Sequence, residues 1–147
     1  MTRRETLREL EESIRRAQEL VDLLRQELVT ELEKMDEEEE KKELEKMVSK
    51  HLRKYGIPIK SKGAQYLQVA IVEAVEDAEV LDGITKILYP QIAKRYKTTA
   101  SRVEQSIRHT IHSTFSNPEA KISEEFTQRP SNLQFIMTVA NDIRIGI

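Results

Sequence analysis

A chain of 147 residues, 38% of them hydrophobic, can bury one modest core with helical sequence left over, and its formal charge of -2 is near neutral. Cysteine is absent, which excludes a disulfide framework, a thiolate zinc site and a thiol nucleophile, and suits a reducing cytoplasm. No run approaches the roughly 18 apolar residues of a membrane span, and charge begins at Arg3, so neither an anchor nor a signal peptide is expected.

Met1 to Tyr55 holds no Gly or Pro and is dominated by Ala, Leu, Glu, Lys and Arg, which predicts helix. Leu7, Leu10, Ile14, Ala17, Val21, Leu24 and Leu28 alternate at spacings of three and four, a heptad seam that breaks at Glu31. Branched residues at two of the a positions, with Leu at most d positions, favour a parallel two-stranded coil. The same stripe can also be buried by an intramolecular hairpin bending at the acidic block Asp36 to Glu40, and the sequence leaves both open. That block has few apolar anchors and reads as a solvated helix or a loosened turn. Helix resumes through Leu44, Met47, Val48, His51 and Leu52 and ends at Gly56 and Pro58.

Beyond Ser61 the apolar run from Tyr66 to Val75 is a core helix, and Gly83 opens a new element. Ile84, Ile87 and Leu88 continue as a short helix up to Pro90, whose ring suits the first turn of a helix ending at Tyr96. Lys97 and Thr98 make a turn, Thr99 caps the next helix, and that helix runs from Ala100 to Ser116 with Val103, Ile107 and Ile111 on its buried side. This is helix-turn-helix order. The opposite face presents Ser101, Glu104, Gln105, Arg108 and His112 at helical spacing. Arg108 suits guanine, Gln105 suits adenine, and Glu104 can accept from cytosine. A solvated face is the bland alternative, with Glu104 and Arg108 merely an i,i+4 pair. Asn117 to Pro130 reads as a polar loop, and Ser131 with Gln134 forms a capping-box pattern before a last amphipathic helix.

Charge is unevenly spread. Met1 to Tyr55 carries 16 acidic and 13 basic residues, net -3, whereas Gly83 to Ser116 carries six basic residues against Glu104 alone, net +5. A locally basic helix-turn-helix points to duplex DNA despite the net negative charge. His109 and His112 have no carboxylate or thiol in register for a metal, and Ser106, Thr110 and Ser113 lack a base constellation, so neither a metal, a cofactor nor catalysis is expected.

The segment GITKILYPQIAKRYKTTASRVEQSIRHTI, Gly83 to Ile111, resembles the C-terminal DNA-binding effector domain of the sporulation initiation response regulator of endospore-forming bacteria. YGIPIKSKGAQYL from Tyr55 and RPSNLQFIMTVANDIR from Arg129 are similar to its flanks. The resemblance implies an all-α transcription factor domain that binds a short operator box and contacts RNA polymerase sigma factor. It marks Glu104 and Arg108 as base readers and Ser101, Arg102 and His109 as backbone contacts. Gln105 stands where the family usually has Arg, which shifts readout there from guanine toward adenine. Lys60 stands where the family tends to have His, and either can reach a phosphate. Family members also carry a phosphoacceptor receiver domain, whereas Met1 to Tyr55 reads as a charged helix without strands, so phosphorylation is not the expected switch.

The expectation is therefore an all-α protein: a helical arm over residues 1–46, coiled coil or hairpin, and a helix-turn-helix DNA-binding domain over residues 47–147. Glu104, Gln105 and Arg108 would read bases in the major groove. Lys60, Lys62, Lys94, Arg95, Lys97, Thr99, Ser101, Arg102 and His109 would contact the DNA backbone. Double-stranded DNA is the expected partner, with a sigma factor and a second copy of the chain as further ones. The rival from another class is an interaction protein whose arm binds a partner helix and whose domain acts as a decoy.

Overall fold

A computed structural model describes residues 2–147, and six α-helices with no strand occur among the described residues. The first, α1, is one helix from Arg3 to Tyr55. Its start is a capping box: Thr2 Oγ1 accepts from the Glu5 amide at 3.1 Å, and Glu5 Oε2 accepts from the Thr2 amide at 3.1 Å. The acidic block Asp36 to Glu40 is helical and exposed, and no turn interrupts it, so the hairpin does not form. Glu and Lys are good helix formers, and without Gly or Pro nothing at that block breaks the ladder.

By contact density the chain divides between Lys42 and Glu43. The first unit is helix alone, with every described residue exposed. The second, Glu43–Ile147, has a true core that begins with Val48, Leu52 and Tyr55 on the last turns of α1. Gly56, at φ 92, ends the helix in the left-handed region that favours glycine.

Ser61 caps α2 (Lys62–Glu76) by accepting from the Ala64 amide at 3.1 Å, and the face carrying Leu67, Ala70, Ile71 and Ala74 is buried. This helix packs against both α4 and α6 and so forms the centre of the domain. A 3-10 turn, Ala78–Gly83, follows, and then Ile84–Leu88 forms a π turn rather than the expected short α-helix. Pro90 has no N–H to return to Lys86, and the Tyr89 amide reaches the Ile84 carbonyl, five residues back.

The next helices are α3 (Tyr89–Arg95) and α4 (Ala100–Phe115). The segment expected to be a loop, Asn117 to Pro130, contains a short helix, α5 (Lys121–Glu125). Ile122 is fully buried there, between buried Ala120 and partly buried Phe126, and these few anchors hold the turn against the core without registering as periodicity. The last helix, α6 (Asn132–Ile145), starts with the expected capping box of Ser131 and Gln134 and ends at Gly146 with φ 80. Its Arg144 donates to the carbonyls of Ala74 and Val75, closing the C-terminus of α2. Tyr55, Phe126 and Phe135 form an aromatic triad beneath α6, with Tyr55 and Phe135 edge-to-face at 5.5 Å. The Tyr55 hydroxyl donates to Asp142 at 3.0 Å, and burial followed by that carboxylate pushes the phenol well above its usual pKa. No helix among the described residues is long and apolar enough to cross a membrane.

Candidate nucleic-acid interface

The turn between α3 and α4 is set by backbone chemistry. Tyr96 ends α3, Lys97 takes φ 53, and the Thr98 amide donates to the Ala93 carbonyl at 2.9 Å, which is a Schellman closure with a lysine in the left-handed position. A non-glycine residue there is uncommon, and the bond it permits fixes the angle between the two helices. Thr99 then caps α4, its Oγ1 accepting from the Arg102 amide at 3.2 Å.

The inner side of α4 is Val103, Ile107, Thr110, Ile111 and Thr114, all buried. Thr110 and Thr114 are the polar members, and the Thr114 hydroxyl donates to the Thr110 carbonyl at 2.7 Å. Gly63 in the first turn of α2 lies so close that a Cβ there would overlap Thr110 Oγ1 and the Ser106 carbonyl. Glycine is what lets α2 approach α4, and Lys60 and Lys62, just before Gly63 in the chain, are both exposed.

The outer side is open. Ser101, Arg102, Gln105, Arg108, His109 and His112 are exposed, and Glu104 is half-buried. Glu104 and Arg108 form an i,i+4 pair at 3.6 Å, and Gln105 Nε2 donates to Ser101 Oγ at 3.4 Å, both weak enough to be exchanged for another partner. Gln105, Arg108, His109, His112 and Arg129 line one shallow depression of about 450 Å³. Lys94, Arg95 and Lys97 are exposed but lie apart from it, on α3 and in the turn, and Arg95 stacks over the Tyr96 ring at 5.7 Å.

Arg129, Asn132, Tyr89 and Gly63 have roles that the sequence reading did not assign. Arg129, just before the buried Pro130, brings its guanidinium against His112 Nδ1 and adds a cation to the outer face. Asn132 Nδ2 donates to the Glu104 carbonyl at 3.2 Å and to the Tyr89 hydroxyl at 3.0 Å, tying α6, α4 and α3 together behind that face. Burial raises the Tyr89 pKa, the Asn132 bond opposes the rise, and Glu104 adds to it. The capping box at Ser131 announced the start of α6, but nothing local said which helix that start would touch.

The arrangement is a rigidly seated helix whose free face carries two arginines, two histidines, a glutamine and a serine. Such a face has the donors and acceptors that base edges and phosphates require. The family described as "Sporulation initiation factor Spo0A C terminal" matches residues 48–143, which include every helix of the second unit from the last turns of α1 up to Ile143 in α6. The chain belongs to this family of all-helical DNA-binding effector domains of sporulation initiation.

Proposed function

We propose that the second unit is a sequence-specific transcription regulator that inserts α4 in the major groove of a short operator. Glu104, Gln105 and Arg108 read bases, with Arg108 bidentate to guanine and Gln105 to adenine. Lys60, Lys62, Lys94, Arg95, Lys97, Thr99, Ser101, Arg102 and His109 hold the phosphates and set the register. Arg129 joins them from the entry to α6. The observation that carries this is the exposed face of α4, buttressed behind by Gly63 and Asn132 while Gln105 and Arg108 remain free to exchange partners.

Residues 3–42 are helix, not an α/β receiver, so these residues offer no phosphoacceptor pocket of their own. Contact with a sigma factor rests on the family resemblance alone. Fluorescence anisotropy on a duplex carrying the family's operator box, against a scrambled duplex in about 150 mM salt, tests the reading. Tighter binding to the box by about 10³-fold is expected. Equal and weak binding to both would instead favour the decoy, whose effect requires a partner protein.

A further inference from the structure

The first unit holds a surface that DNA reading does not use. Leu7, Leu10, Ile14, Val21, Leu24, Leu28, Leu32 and Met35 are 44 to 64% exposed on a helix with no side chain packed on that stripe. With Ala17 they lie within a stripe about 100° wide, the width of a face that packs in globular proteins. A stripe this long on a highly charged helix is unpartnered in the single chain.

We propose that a second copy of this chain covers it, as a parallel, in-register two-stranded coiled coil. Two features choose this occupant, the heptad seam with its a and d residues and the flanks beside it. The seam has heptad spacing from Leu7 to Leu28, Glu31 interrupts it at the next d position, and Met35 returns at the following a position.

The flanks also tolerate themselves. In the parallel register Lys34 faces the partner's Glu39, Leu20 faces the stem of the partner's Arg25, and Glu27 faces the partner's Leu32. Nearer the N-terminus the facing pairs have at most one charge, so no like charges meet across these flanks, and Glu31 at the seam's end is the one core position that sets like charges together. A helix selected for a different partner has no reason to be compatible with its own flanks at every step. Ile14 and Val21 at a positions with Leu10 and Leu24 at d favour two strands, and Ala17 is the weak layer.

Sedimentation of the full chain at micromolar concentration tests this without any DNA. The expected mass is about twice 17.1 kDa, falling to one copy in Leu24→Glu. The core that includes Val48 and Phe135 takes no residue from the stripe, so thermal unfolding of that core reports whether the variant stays folded. Because the chain has no cysteine, Leu10→Cys supplies a single thiol. In the parallel pair it links to its own copy on mild oxidation, whereas antiparallel pairing carries the two thiols far apart. A monomer at every concentration, a trimer, or a dimer that persists in Leu24→Glu overturns the proposal. A dimer without the Leu10→Cys link overturns its parallel register.

Discussion

Leu28 and Leu52 occupy the same helix, but Leu28 is 57% exposed and Leu52 is fully buried. Both stretches of α1 have the composition of good helix formers, and both are helical. What separates them is burial: Leu52 belongs to the core that residues of α2 and α6 also build, whereas Leu28 is left exposed. Helix formation and burial are thus distinct outcomes of sequence. Propensity and i,i+4 pairs such as Glu12–Arg16, at 3.5 Å, support the exposed stretch, each pair by only about 0.3–0.5 kcal/mol. Burial of apolar area contributes far more per residue, but only where a second surface is present.

The sharpest test of that contrast is a pair of truncations. Phe135→Ala should destabilise the second unit by about 3–5 kcal/mol in urea unfolding, because it empties the centre of the aromatic triad. Leu24→Ala should leave that transition within about 0.5 kcal/mol, since Leu24 is 64% exposed and is no part of the core. Similar losses from both would show that the stripe is part of the domain's folding unit.

Gly63→Ala comes next, at about 1–3 kcal/mol from the overlap with Thr110 and the Ser106 carbonyl. Operator binding measured on the folded fraction should fall as well, because α4 must shift to make room. Unchanged binding at full stability would mean that the close approach of α2 is incidental.

Within the DNA face, Arg108→Ala should weaken operator binding by about 1–3 kcal/mol and relax preference at one base pair. Lys94→Ala should weaken operator and random duplexes alike and flatten the salt dependence. Equal effects of both substitutions on both duplexes would reverse the assignment of roles. The smallest effect is expected from Ser131→Ala, which removes the bond to the Gln134 amide at 3.1 Å and should destabilise the second unit by about 1 kcal/mol in thermal unfolding.

Much of the site could be read from residues close together in the chain. Thr99 before Ala100, the polar turn after Tyr96, and Val103, Ile107 and Ile111 at helical spacing each rest on interactions spanning a few residues, so the helix-turn-helix order was visible before any fold. The capping box at Ser131 was visible for the same reason. The π turn was hidden because Ile84, Ile87 and Leu88 carry a helical pattern, and only the missing amide of Pro90 alters the ladder. The helix α5 was hidden because its stability comes from Ile122 entering a core assembled elsewhere.

Local pattern, capping and composition determined that this chain is helical, where its helices begin, and which face of α4 is apolar. Each of those depends on backbone geometry and neighbours within about one or two turns. The tertiary structure decided that Gly63 seats α2 on α4, that Asn132 ties α6 behind Glu104, and that Arg129 meets His112 on the outer face. Those contacts join residues 17 to 47 positions apart, and their existence depends on how separate helices pack. No periodicity in the sequence encodes that packing, because it is set by the shapes of the surfaces that meet.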